Sequence, residues 1–215
     1  LTAARVAPDR VEIRASAHLC APGCPEGIDS RIVYRIDGAG RVRIVNTVFI
    51  PERMPHLPRV GLELTLAAGF ETLTWYGRGP HENYADRLRS ALVGRYTACV
   101  DDQFTPYVYT SESGGKEGVR WAALTNEQGY GLLAAAPAGA ELHVDALHYA
   151  IADLARSHHP YELTRLPETI LHLDAVHMGV GGDDGWMSAV HAEFLVQPGR
   201  YEFSALLRPV RPGDD

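Results

Sequence analysis

Arg31-Ile32-Val33-Tyr34-Arg35-Ile36-Asp37-Gly38-Ala39-Gly40-Arg41-Val42-Arg43-Ile44-Val45-Asn46-Thr47-Val48 reads as two alternating strands joined by a tight turn. Side chains of a strand point to opposite faces in turn, so this period of two marks a sheet with one buried face. Asp37-Gly38-Ala39-Gly40 between the two runs carries the residues of a hairpin turn. The same reading extends in both directions. Val11–Leu19 precedes the hairpin, and Leu62–Leu66 and Thr72–Trp75 form another pair. Further strand candidates are Val119–Leu124, Gly131–Ala135, Glu141–Leu147, Thr169–Ala175, Val190–Val196 and Tyr201–Leu207. Many short strands at this spacing predict an all-β chain, a sandwich or barrel. Helix is sparse: Tyr149–Ala155 has apolar residues near helical spacing, and His158-His159-Pro160 would stop it. No linker or repeat interrupts residues 1–215, which read as one domain.

Composition excludes several classes. The 46% hydrophobic and 22% charged residues are those of an ordinary globular protein. A net charge of −7 without a dense Lys/Arg cluster argues against a nucleic-acid partner. No run approaches the roughly 18 apolar residues of a membrane span. The opening Leu1-Thr2-Ala3-Ala4 lacks a basic n-region and a Met, which suggests a piece of a longer, cytoplasmic chain without a signal peptide. Cys20, Cys24 and Cys99 are expected to be unpaired thiols.

The stretch His177-Met178-Gly179-Val180-Gly181-Gly182-Asp183-Asp184-Gly185-Trp186 follows the strand candidate at 169–175. Three glycines in four positions suit a sharply turning backbone. The loop carries an indole away from a strand end, where it could lie on the face of a sugar ring. Asp183 and Asp184 could accept hydroxyl or backbone donors, and His177 could anchor the base of the loop. The alternative is a tight turn whose Trp186 packs back on the core. A second stretch is Trp75-Tyr76-Gly77-Arg78-Gly79-Pro80-His81-Glu82-Asn83-Tyr84-Ala85-Asp86-Arg87, and a third is Thr105-Pro106-Tyr107-Val108-Tyr109 with Glu112 and Gly114.

These three stretches, in this order, resemble the last domain of the large β-galactosidases of glycoside hydrolase family 2. The likeness runs from about Val11 to Pro209. It implies a large two-sheet antiparallel sandwich, a supersandwich related in fold to galactose mutarotases. The likeness joins that domain partway in, so its first strands are expected to be missing and one sheet edge to be open. It implies that Trp186 reaches an active-site mouth and stacks on sugar, supported by His177, Gly181, Gly182, Asp183 and Asp184. Gly185 departs from the family, which usually has serine there, and this loosens the loop. The family's two catalytic glutamates sit on a separate (β/α)₈ barrel. The chain alone is therefore expected to be inactive, acting with that barrel on terminal β-galactosides such as lactose. The parent would be a homo-oligomer or a pair of large and small chains. No cofactor is implied for this chain itself, and magnesium belongs to the catalytic part. Some relatives hold sodium through backbone oxygens at the positions of Tyr109, Thr110, Leu154 and Ser157, although Thr110 stands where some have proline.

The residues themselves agree with a non-catalytic role. Glycoside hydrolysis needs two carboxyls about 5 Å apart for retention, or about 6.5–9.5 Å for inversion. Asp183 and Asp184 are adjacent and would diverge, and Glu82 and Asp86 read as loop residues that cap backbone donors or pair with Arg87 or Arg89. His143 with Asp145, and His172 with Asp174, each share a strand face but give only two ligands, short of a zinc site. The neighbours His158 and His159 would face apart. A free-standing carbohydrate-binding module is one alternative. An aldose mutarotase is another; it would need an acid and a base converging among His143, His172 and Glu193.

Overall fold

A computed structural model describes residues 1–183 and 189–214. It contains two antiparallel sheets. The chain runs β1 (Thr2–Ala7), β2 (Arg10–Cys20), β3 (Gly27–Asp37), β4 (Val42–Ile50), β5 (Arg59–Leu66), β6 (Thr72–Gly79), β7 (Leu92–Cys99), β8 (Lys116–Val119), β9 (Trp121–Thr125), β10 (Gly131–Ala135) and β11 (Leu142–Leu147). Helix α1 (Ile151–Arg156), β12 (Thr169–His177) and β13 (Gly199–Val210) complete it. The larger sheet has the order β1-β2-β3-β4-β13-β10-β9-β6-β7, and the smaller β5-β12-β11-β8. No helix among the described residues is long and apolar enough to cross a membrane.

The hairpin that decides the fold is present. β3 and β4 pair from Asp29↔Phe49 to Ile36↔Val42. Asp37 accepts the Ala39 and Arg41 amides at 3.0 and 3.1 Å, and Gly40 takes φ 76°, where a Cβ is disfavoured. Between the sheets lies an apolar layer. Ile44, Leu73, Trp75, Leu124, Ala134 and Leu207 come from the large sheet, and Leu66, Leu142, Val144, Leu171 and Leu173 from the small one.

Four sequence expectations need correction. Leu62–Leu66 and Thr72–Trp75 do not pair: β5 and β6 lie in different sheets, so the turn between them crosses the sandwich. Val119–Leu124 is two strands, because Val119 pairs in the small sheet and Trp121 in the large one, with Arg120 between them. Val190–Val196 contains a 3-10 turn, Ala192–Phe194, and only an isolated bridge from Val196 to Leu57. The glycine-rich run after Trp75 begins as strand: Gly77 and Gly79 are buried positions of β6. A Cβ on Gly77 would come within 2.8 Å of the Val119 Cα, so glycine lets β6 pass under the crossover. β1 and β7 were not expected.

Candidate functional site

The small sheet presents a hydrocarbon face inward and a polar face outward. Its register makes that polar face a grid. His143 lies opposite Asp174, Asp145 opposite His172, and His172 opposite Glu63 on β5. Gly61 faces Asp174, and its missing Cβ leaves room for the carboxylate, since an added Cβ would fall 1.9 Å from Asp174 Oδ1. Arg59 closes the grid. Its Nε donates to Asp174 Oδ2 at 2.9 Å, and its Nη2 donates to Asp145 and lies 2.8 Å from Asp174 Oδ2. All of these except Glu63 are largely or wholly buried.

Electrostatics follow from that geometry. Burial alone would push the Asp145 carboxyl up, but the His172 hydrogen bond and the Arg59 charge outweigh it and hold it well below the usual range. Burial also opposes the charge on His172, yet its bond to Asp145 raises it above the ordinary histidine value. Both His172 nitrogens face carboxylates, Asp145 at 2.7 Å and Glu63 at 3.1 Å. Lys116 is 2% exposed; burial pushes it down to about 8, against the opposing charges of Glu82 and Asp145, and its Nζ donates to the Gly114 carbonyl at 2.8 Å and lies 5.3 Å from the Trp75 ring face.

Two loops cover the polar face, and the second and third sequence motifs supply them. Glu82 accepts from Thr105 Oγ1 at 3.0 Å, the Gly114 amide at 2.9 Å, Arg87 at 3.3 Å and the Tyr107 hydroxyl. Asn83 accepts the Glu117 amide at 2.8 Å and donates its own amide to the Gly115 carbonyl at 2.8 Å. Tyr84, wholly buried, takes the Gly115 amide at 3.1 Å and sets its ring 5.4 Å from both His143 and His177. The carboxylates at 82 and 86 thus hold loops rather than face each other across a cleft.

Asp86 joins this cover to the glycine loop. Its Oδ2 accepts the Gly181 amide at 2.7 Å. A Cβ on Gly179 would fall 2.4 Å from the same oxygen, so glycine there admits the carboxylate. Gly181 and Gly182 take φ 67° and 91°. His177, the last residue of β12, points Nδ1 at the Met178 carbonyl at 2.6 Å. Asp183 is exposed and pairs with His191. Asp184, Gly185 and Trp186 lie outside the described residues. Asp86 was legible only as a loop carboxylate; nothing in the sequence tied it to a loop 95 residues on. Arg59 carried no motif at all.

Two further groupings bear on ions. His143, His177 and Glu112 place one ligand atom each within 4.8 Å of one another, His143 and His177 stacking at 4.4 Å between ring centroids. Separately, the Thr110 amide donates to the His158 carbonyl at 3.2 Å, which brings residues 109–110 beside the end of α1. Thr110 Oγ1 is buried with no hydrogen-bond partner among the described residues, Leu154 and Ser157 are buried, and Tyr109 is exposed. The mutarotase arrangement is not met: His143 bonds Glu117, His172 bonds Asp145 and Glu63, and Glu193 is exposed on its 3-10 turn.

Comparison with known proteins agrees with this architecture. The family model described as beta galactosidase small chain matches residues 3–207. A β-galactosidase of Vibrio cholerae is 41% identical over 175 residues, covering 81% of this chain and 16% of the relative. One from Priestia megaterium is 37% identical over 180 residues, covering 83% and 17%. One from Photobacterium profundum is 35% identical over 178 residues, covering 82% and 16%. The chain therefore spans about a sixth of the length of these relatives. With its two antiparallel sheets and its match over nearly every residue, this chain belongs to the β-galactosidase small chain family.

Proposed function

We propose that this chain is the C-terminal accessory part of a retaining β-galactosidase acting on terminal β-galactosides such as lactose. Its task is to hold the Trp186 loop at the mouth of an active site whose acid and nucleophile stand on another domain. The observation that carries this reading is the anchoring of the loop root, with Asp86 on the Gly181 amide and His177 on the Met178 carbonyl. A side chain that positions substrate must itself be fixed by its supporting shell. The indole would stack on sugar and orient it; no bond is made or broken by this chain. Subunit contacts with the rest of the enzyme are the second part of the role. A sodium ion held by Tyr109, Thr110, Leu154 and Ser157 would supply a fixed charge tying two loops together.

The test is hydrolysis of a chromogenic galactoside by the full-length parent, by its Trp186→Ala variant and by this chain alone. The chain alone should be silent and the parent active. Trp186→Ala should lower kcat/KM by about 5–10-fold, the loss of roughly 1 kcal/mol of stacking. Turnover by the isolated chain, or a parent indifferent to Trp186→Ala, would overturn the reading. Asp86→Ala should produce a comparable loss of kcat/KM with Trp186 intact, because the loop root is released. Unchanged kinetics in that variant would remove Asp86 from the supporting role.

A further inference from the structure

Four buried histidines of this chain differ in one respect. His148 and His172 have both ring nitrogens matched to acceptors. His143 and His177 do not: Nε2 of each is buried and has no hydrogen-bond partner among the described residues. An unmatched buried polar atom is costly and calls for a specific cause.

The tautomers are set by the other nitrogens. His143 Nδ1 lies 2.9 Å from Glu117 Oε1, and His177 Nδ1 lies 2.6 Å from the Met178 carbonyl. A carboxylate and a carbonyl only accept, so each Nδ1 carries the proton. In the neutral ring each Nε2 then presents a lone pair. Carboxylate–histidine and carbonyl–histidine pairs of this kind are what orient imidazoles as metal ligands. Glu112 supplies the third group, with Oε2 3.7 Å from His177 Nε2, beyond hydrogen-bonding reach.

We propose that Glu112, His143 and His177 form a zinc site, with two Nε2 atoms and one carboxylate oxygen as ligands. The Glu112 side chain is 27% exposed, which leaves a route for the ion and a fourth position for water. Imidazole and carboxylate donors suit zinc, and two histidines with one glutamate is a known ligand set for it. Tetrahedral bonds of about 2.1 Å separate ligand atoms by about 3.4 Å. Each residue has a ligand atom within 4.8 Å of the others, so the gap to close is at most about 1.4 Å, and the two rings, stacked here with planes 21° apart, must turn out of parallel for both lone pairs to meet one ion. Arg59 Nη1 lies 3.9 Å from Glu112 Oε2, but its charge is already held by Asp145 and Asp174. The site links β11, the end of β12 and the loop after residue 104, directly under the root of the Trp186 loop. Sequence spacing hid it, because the ligands are distant in the chain and the strand-face pairs His143/Asp145 and His172/Asp174 suggested other partners.

The full-length protein, stripped of metal by a chelator, would be titrated with zinc by calorimetry and with cobalt by visible absorption. Wild type is expected to bind one equivalent more zinc than His143→Gln or His177→Gln, and to show cobalt ligand-field bands that both variants lose. His172→Gln, a buried histidine outside the set, should match wild type. Equal stoichiometry and spectra in all four proteins would overturn the site. If a histidine variant fails to fold by circular dichroism, Glu112→Gln decides. A loss of zinc affinity of at least about tenfold supports the site, and a smaller loss overturns it.

Discussion

Arg59→Met is expected to destabilise the protein by about 3–5 kcal/mol, among the largest effects of any single change in it. The guanidinium stands between two carboxylates that are 1% and 2% exposed, Asp145 and Asp174. Methionine fills the stem of arginine but leaves both charges without their counter-ion in a site of low dielectric. Asp145 would keep His172, while Asp174 would lose its only ion-pair partner among the described residues. Equilibrium denaturation in guanidinium chloride measures the loss, and the melting temperature should fall by roughly 6–20 °C for a chain of this size. The triple variant Arg59→Met/Asp145→Asn/Asp174→Asn should recover part of it, since amides tolerate burial better than unpaired carboxylates. A single-variant cost below about 1 kcal/mol, or no recovery in the triple variant, would show that the grid is not held by Arg59.

Trp75→Ala should cost a similar amount, about 3–5 kcal/mol, for an unrelated reason. The ring is 1% exposed and fills the layer between the sheets, tilted 5.4 Å from Tyr96. Its Nε1 donates to the Arg78 carbonyl at 2.8 Å, a bond within β6 that fixes the ring at the start of the second motif. Its face also lies 5.3 Å from Lys116 Nζ, a buried ammonium that would lose this contact. Removing the ring therefore opens a cavity and weakens a buried charge together. Denaturant midpoints of Trp75→Ala and Trp75→Phe separate the two, because phenylalanine restores most of the volume and a π face but not the indole N–H. Phenylalanine should recover more than half of the loss. Equal costs for both variants would place the effect in the hydrogen bond alone.

The strands were legible where one face is hydrocarbon and the other water. β3 and β4 meet that condition, and their turn residues gave the register of the hairpin. β7 does not: Leu92 and Val93 are 71% and 45% exposed, so its alternation carries little contrast at the sheet edge. β5 and β6 were each legible as strands, but not which sheet each joins. A five-residue turn closes a hairpin or crosses a sandwich equally well, and the choice is made by packing far away in sequence. The same limit governed the site. The glycine loop was readable as a candidate sugar-contacting segment from its residue types, and the motif at 75–87 as a structural connection. The contacts that give them meaning were not, because Asp86–Gly181, Arg59–Asp174 and His143–His177 join residues across folded space.

The division of β8 from β9 at a single residue has one more consequence. Val119 belongs to the small sheet, Trp121 to the large one, and Arg120 between them donates its amide to the Tyr76 carbonyl at 2.8 Å. With so short a tether neither sheet can swing away and leave the other intact. The sandwich interior is thus expected to behave as a single cooperative unit, its amides exchanging together at the cost of global unfolding, which native-state hydrogen exchange would check. The outlying ribbon of β1 and β2, largely exposed and joined to the rest through β3 alone, can fray at far lower cost.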